Sequence, residues 1–402
     1  MFALLLLTLA ALAAPDTAEG PLRRVEKPLR TQLDSEALLR VEMEVDPPEA
    51  SRRAAAQAAA HPGVEVEVVV DGLVQLSAPG TVLAKLAEVE GVTRVRPPFH
   101  AIEAEFISEG VEALFLSDWS AQLTGKNVKI AVLDTGFWNY NILLGTELPA
   151  SVGLTCKRAD DQPDCDTITG HGTRVAQIVH DIAPDAELHL FGAWYRAEWL
   201  AAADDIKAGD FDIVTSSMGF GNYYPLDGTN EFAAKVDEVV TATGAVWFNA
   251  AGNQNTDTWT GVLQNADGDE WLEMDQPLVT GTDNLEKLRV LASGGAVYVD
   301  IRWDDPWGLS ANDIDVVAVD GSGTEYTACS PAGDYEQNGD DNPWERLYCT
   351  GVVGSDAHIK LRVDPLAPTT GVGLRAWVVS YYHILETSGN PASLTNERSL
   401  FM

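Results

Sequence analysis

Gly170-His171-Gly172-Thr173-Arg174-Val175-Ala176-Gln177-Ile178-Val179 decides how this chain is read. Two glycines flank His171, and they let the backbone bend tightly and come close to a neighbour. Val175, Ala176, Ile178 and Val179 recur at helical spacing and supply one apolar face. The stretch predicts a loop that turns straight into an amphipathic helix with the histidine at its start. The positive end of a helix disfavours imidazolium, so a ring placed there stays neutral and able to accept a proton. A single histidine in such a place reads more simply as a cap. His171 acquires a chemical meaning from two other stretches.

Upstream, Val128-Lys129-Ile130-Ala131-Val132-Leu133-Asp134-Thr135-Gly136 is a nearly continuous apolar run that ends in an acid and a glycine turn. Such a run suits a strand buried on both faces of a parallel sheet under helices. Asp134 falls at its carboxyl end, where open α/β sheets carry their functional groups. Downstream, Gly244-Ala245-Val246-Trp247-Phe248-Asn249-Ala250-Ala251-Gly252-Asn253 repeats the design with an amide in place of the acid. An acid, an imidazole and an amide at the ends of separate strands are three parts of an acyl-transfer site.

The blocks V-L-D-T-G at 132–136, G-H-G-T at 170–173 and A-A-G-N at 250–253 stand in that order, and together they resemble the subtilisin-like serine proteases. The resemblance implies a subtilisin-like parallel sheet flanked by helices, and peptide-bond hydrolysis with a protein or peptide as substrate. It implies that Asp134 orients His171 and stabilises its protonated form, with His171 as general base and acid. Asn253 would donate to the developing oxyanion. Asp212-Ile213-Val214-Thr215-Ser216-Ser217-Met218-Gly219 is similar to the family's groove strand, with Ser217 and Gly219 as substrate-binding positions and Met218, Phe220 and Tyr223 as pocket neighbours.

One part of the resemblance is missing. In that family the nucleophilic serine follows the Asn block, within a Gly-Thr-Ser-Met-Ala-like turn that opens a helix. None of the serines from Ser293 to Ser399 is followed by a small-residue helical run. Thr215-Ser216-Ser217-Met218-Gly219 imitates the turn, but it precedes the Asn block and fits the groove strand better. The sequence has a base without its nucleophile, and the expectation is a chain inactive by itself. Residues 385–402 are expected to be a truncated return to the core. A non-catalytic peptide-binding relative and a non-functional remnant are the alternatives.

The 402 residues carry 26 basic and 61 acidic side chains, a net charge of −35. So acidic a chain repels nucleic acid and anionic membrane, and neither is expected as a partner. The length suits two or three domains. Residues 2–13 are apolar and end in small residues, which resembles a secretory signal peptide over 1–14. No other stretch is apolar enough to span a bilayer. A secreted protein is expected.

Residues 35–98 read as an α+β module. Leu38 to Val45 alternates like a strand, Pro47 to Ala60 is alanine-rich and helical, and Asp71-Gly72 sits between two strands as a hairpin turn. Thr81 to Glu90 is a second helix stopped by Gly91, and Val92 to Val95 is a last strand. The order βαββαβ is that of a ferredoxin-like module. Its position resembles a propeptide that acts as an intramolecular inhibitor. Residues 99–127 would be the linker, where maturation cuts.

The catalytic core is expected over 128–262, with strands and helices alternating as in a parallel sheet. His180 and His189 are read as packing or surface residues. Cys156 and Cys165 bracket one polar loop, and Cys329 and Cys349 bracket another. Four cysteines in a secreted chain suggest two local disulfides, with three pairings open. From 276 to 384 the helical period vanishes and short alternating runs suggest a β-sandwich insertion. Asn265-Ala266-Asp267-Gly268-Asp269-Glu270 has the look of a calcium loop without the full ligand series, so a solvated turn is the better reading. Asp304, Asp305, Asp313 and Asp315 read the same way, and no cofactor or metal is expected.

Overall fold

The computed structural model describes residues 20–99, 102–103, 123–159, 165–166, 169–220, 224–225, 227–252, 257–265, 268–274, 287–290, 296–326, 329, 342–349, 357–363 and 373–380. The signal-peptide stretch, Asn253, Tyr223 and residues 385–402 lie outside them.

In the N-terminal module, α1 (Lys27–Arg30) precedes the strand β1 (Leu38–Val45). Then follow α2 (Ser51–Ala58), β2 (Glu65–Val70), β3 (Leu73–Pro79), α3 (Leu83–Leu86) and β4 (Val92–Arg96). The sheet order is β2-β3-β1-β4, and the pairings are antiparallel. Side chains alternate across a strand. Val41, Met43 and Val45 therefore face the module's helices, where Ala54, Ala58, Leu83 and Leu86 bury them. Both helices are shorter than the sequence suggests, because their first residues form 3-10 turns at Pro48–Ala50 and Gly80–Val82.

β5 (Ile102–Glu103) follows the module. The central unit then runs β6 (Lys129–Asp134), β7 (Gly153–Cys156), α4 (His171–Ile182), β8 (Glu187–Gly192), α5 (Arg196–Ala208) and β9 (Ile213–Ser216). It continues through β10 (Met218–Gly219) and α6 (Glu231–Thr243) to β11 (Val246–Asn249). Its sheet has the order β11-β9-β6-β8-β7 and is parallel throughout. Parallel neighbours need long crossovers, which α4, α5 and α6 supply. On one face, Ala131, Leu133, Val214 and Trp247 pack against Trp199, Ala203, Phe232 and Val239 of α5 and α6. On the other, Val175 and Ala176 of α4 cover Val132 and Leu190. α4 does not reach β11, where Val246 and Phe248 stay 52% and 58% exposed. His189 stacks on Phe191, centroids 4.4 Å apart, and is a packing histidine; burial and the nearby Lys129 hold its pKa down.

The third unit is antiparallel: β12 (Thr258–Gln264), β13 (Trp271–Met274), β14 (Lys287–Val290), β15 (Val297–Trp303), β16 (Ile314–Asp320), β17 (Trp344–Cys349), β18 (Ala357–Val363) and β19 (Arg375–Ser380). The order is β14-β18-β13-β12-β19-β15-β17, with β16 on β18. It starts earlier than position 276, since β12 pairs with β19 rather than with the parallel sheet. Asp305 accepts from Ser310 at 2.7 Å and from Asn312 at 2.6 Å, and Asp315 pairs with Arg362 at 2.9 Å. The disulfides are Cys156–Cys165 and Cys329–Cys349.

The face that the module's sheet turns to α5 and α6 sets polar side chains beside Leu73, Val68 and Val70, which join the core there. Arg196, the first residue of α5, lies 2.9 Å from Glu42, 3.2 Å from Glu44 and 3.4 Å from Glu231. Arg96 reaches Glu26 at 3.6 Å and Glu44 at 3.8 Å. Burial pushes Glu42 up to about 7 against the pull of Arg196 and Arg96. Burial opposes ionisation of Glu44 too, but Arg196, Arg96 and Arg94 outweigh it and hold Glu44 below the usual carboxylate range. A carboxyl whose pKa rises on folding keeps its proton better in the folded chain. Its contribution is full below the ordinary value of 4.5 and is lost as pH rises through about 7. Glu44, shifted the other way, acts only below that window. Glu42→Gln is expected to remove a component of the melting temperature that falls between about pH 5 and about pH 8, while the lowered pKa of His189 acts in the opposite sense below its ordinary value; calorimetry of the full chain and of the variant, compared across that range, checks this.

Candidate active site

β6 delivers Asp134 to the carboxyl edge of the parallel sheet, level with Gly192 of β8, while its neighbour Leu133 is level with Ser216 of β9. The carboxylate is fully buried. An ionised carboxylate out of water requires hydrogen-bond donors. Thr135 supplies one from its backbone N–H, 2.7 Å from Oδ1. His171 lies with Nδ1 2.8 Å from the same oxygen. With Nδ1–H donated to the acid, Nε2 is the basic nitrogen of the ring.

The histidine reaches this position because α4 starts on it. Gly170 is the N-cap, and the His171 N–H donates to the Thr169 hydroxyl at 3.1 Å. Gly172 donates its N–H to the Gly136 carbonyl at 3.0 Å. A β-carbon on Gly172 would stand 2.6 Å from the Phe137 ring and 2.7 Å from the Asp134 Cβ, so helix and strand touch where no side chain fits. The turn after Asp134 is held from three further sides. Phe137 donates to the Cys165 carbonyl at 2.8 Å, and the Cys156–Cys165 disulfide ties that point to β7. The Trp138 carbonyl accepts from the Thr173 hydroxyl at 3.0 Å. Buried Arg158 donates to the Thr135 carbonyl at 2.6 Å. Arg158 was invisible as a site residue in the sequence, since it sits in a polar loop 23 positions from its partner.

Gly219 lies in β10, and Ser217 stands between β9 and β10. β10 pairs antiparallel with β5, Met218 opposite Glu103 and Gly219 opposite Ile102. Ser216 and Ser217 are buried, and among the described residues neither hydroxyl has a hydrogen-bond partner, His171 included. Met218 and Phe220 lie inside the aromatic core under α5 and α6 rather than open to the groove. Asn249 of β11 is level with Ser216. Asn253 is beyond the described residues, so Asp134 and His171 are the site residues brought together there.

No family model matches the chain. The chain is 28% identical over 224 residues to the "Membrane-bound transcription factor site-1 protease" of Homo sapiens, covering 52% of this chain and 19% of that protein. It is 28% identical over 227 residues to the "Subtilisin-like protease SBT6.1" of Arabidopsis thaliana, covering 52% and 20%. It is 34% identical over 116 residues to the "Minor extracellular protease Epr" of Bacillus subtilis (strain 168), covering 25% and 17%. The chain thus spans about a fifth of the length of these curated relatives. Among solved structures, fervidolysin from Fervidobacterium pennivorans, "a keratinolytic enzyme related to subtilisin", aligns with a TM-score of 0.35 at 13% identity, covering 55% of this chain and 40% of that one. The epidermin leader peptide processing serine protease of Staphylococcus aureus aligns at 0.39 and 13%, covering 55% and 61%.

Gly172→Ala is expected to force Asp134 and Phe137 apart and to destabilise the chain by about 1–3 kcal/mol, the usual cost of overpacking. Urea unfolding checks it; an unchanged midpoint would mean that the close contact between helix and strand is not there.

Proposed function

This chain is related to the subtilisin-like serine proteases, and we propose that it carries the acid–base and substrate-holding parts of a secreted serine endopeptidase. The observation that carries the proposal is the buried Asp134–His171 hydrogen bond, 2.8 Å long, at the carboxyl edge of the parallel sheet; β10, in a separate two-stranded sheet, is already paired with β5. Asp134 fixes the ring so that Nε2 takes the proton of a hydroxyl nucleophile as it attacks a peptide carbonyl. The imidazolium so formed is stabilised by the same carboxylate and returns the proton to the leaving amine. Asn253 is assigned the oxyanion. Ser217 and Gly219 take the substrate backbone as an added strand. Side chains and backbone amides suffice for these steps, and no cofactor is invoked.

The nucleophile is assigned to a helix from outside the described residues, seated beside α4 over Val246 and Phe248. Their exposure on β11 supports that seat, because large apolar side chains on a sheet face ordinarily lie under a helix. The N-terminal module is assigned the part of a ferredoxin-like propeptide and intramolecular inhibitor; its order β2-β3-β1-β4 and the β5–β10 pairing support this. The strands β12–β19 are assigned to a β-sandwich inserted in the protease core. Secretion is part of the proposal. Among the described residues no helix is long and apolar enough to cross a membrane.

The same β5–β10 pairing favours a second reading, in which the chain captures peptides without cleaving them. For the 402 residues alone the two readings coincide: peptide binding only in competition with β5, and no turnover. Incubation with casein should release no fragments, and intact-mass analysis should show no new amino terminus between Phe99 and Asn127. Casein turnover that disappears in His171→Ala would contradict both expectations, because it would demonstrate a nucleophile within this sequence.

A further inference from the structure

Phe99 stands three positions before Ile102, the residue opposite Gly219. Its carbonyl accepts the N–H of Arg196 at 3.1 Å. That N–H belongs to the first turn of α5, where amides have no partner within the helix. The side chain is enclosed, with the residue 7% exposed. Tyr224 meets the ring edge-on, with centroids 5.8 Å apart, and so does Trp344 at 6.2 Å. Two guanidiniums lie over it, Arg96 at 3.6 Å from the centroid and Arg196 at 5.3 Å.

Arg96 belongs to β4 and leaves wherever the N-terminal module leaves. Arg196, Tyr224 and Trp344 come from α5, the segment before α6, and β17, and they stay. Arg196 then keeps Glu231 at 3.4 Å and gives up Glu42 and Glu44 of β1, while Tyr224 keeps its own braces. The Tyr224 hydroxyl donates to Glu231 at 3.0 Å, and its ring packs on Phe232 at 5.1 Å. Phe232 in turn stacks on Phe220 at 4.3 Å and meets Trp199 at 5.0 Å. A wall built this way is organised before a ligand arrives, which lowers the entropy cost of binding.

We propose that Arg196, Tyr224 and Trp344 form a binding subsite for an aromatic side chain of an extended peptide, three residues ahead of the residue that pairs with Gly219, and that Phe99 fills it in cis. The assignment rests on reading β10 as the peptide-holding edge. Three extended residues span about 10 Å, so groove and subsite read one peptide at two separated points. The chemistry favours an aromatic ring over an aliphatic chain of similar volume. Edge-to-face contacts and a guanidinium over the ring face are both attractions to a π quadrupole, and an aliphatic chain has none.

The test uses the full chain carrying Phe99→Ala to empty the subsite, with Ile102→Pro and Glu103→Pro to remove the amide donors of β5 and free the edge. The probes are fluorescein-labelled decapeptides of the sequence of residues 97–106, with Phe, Leu or Ala at the place of Phe99, read by anisotropy. The Phe peptide is expected to bind about tenfold tighter than the Ala peptide, with the Leu peptide close to Ala. Adding Tyr224→Leu, or Tyr224→Ala if the first folds poorly, should bring the Phe and Ala peptides to within about threefold. Equal binding of the three peptides would overturn the subsite and leave the groove standing. Leu binding as tightly as Phe would overturn its aromatic character. Binding of none of them would remove the groove reading and the subsite with it.

Discussion

The carboxylate of Asp134 is the constraint around which the central unit is arranged. It is shut off from solvent at the end of β6, and a buried carboxylate left without donors costs several kcal/mol. The donors come from chain segments that must therefore be brought together: the turn at Thr135 and the first residue of α4. The Gly172–Gly136 contact lets α4 come close enough, and Arg158, Thr173 and the Cys156–Cys165 disulfide hold the turn from outside. What results is a fixed imidazole with its second nitrogen available for chemistry. The parallel sheet makes this economical in sequence, because each strand delivers its last residue to the same edge.

A different force joins the N-terminal module to that unit. The module has an apolar core of its own, Leu73, Val68 and Val70 join the core of the α/β unit, and beside them lies a set of buried and half-buried charges with Arg196 at its centre. Charges at an interface give specificity of docking more than raw affinity, since wrong partners leave them unpaired. Burial raises the pKa of Glu42 within that set, and Phe99 is the apolar side chain enclosed beside Arg96 and Arg196. Module, α/β unit and antiparallel unit meet at that ring, through Arg96, Tyr224 and Trp344.

Much of the central unit was legible in the sequence because local physics set it. Apolar runs mark β6, β9 and β11 and helical spacing marks α4, whereas the pairing of Asp134 with His171 came from the resemblance to the subtilisin-like proteases. The hairpin at Asp71-Gly72 and the βαββαβ order were equally local. Residues whose role depends on distant partners were hidden. Arg196 and Glu42 are 154 positions apart and meet only through the docking of two units. Phe99 sits in a proline-flanked linker with no pattern of its own. Met218 and Phe220 alternate as a groove strand should, yet they face inward, because the helices behind them demand apolar filling. The antiparallel unit began earlier than its composition implied, since β12 follows directly on the last loop of the parallel sheet.

The account depends on His171 holding its proton on Nδ1 toward Asp134 and presenting Nε2 as the base. Nitrogen-detected NMR of the histidine rings, at a pH where the imidazole is neutral, tests this directly. The prediction is an Nδ1–H tautomer with a slowly exchanging proton that is lost in Asp134→Ala. An Nε2–H tautomer, or a ring proton unaffected by that substitution, would contradict the account.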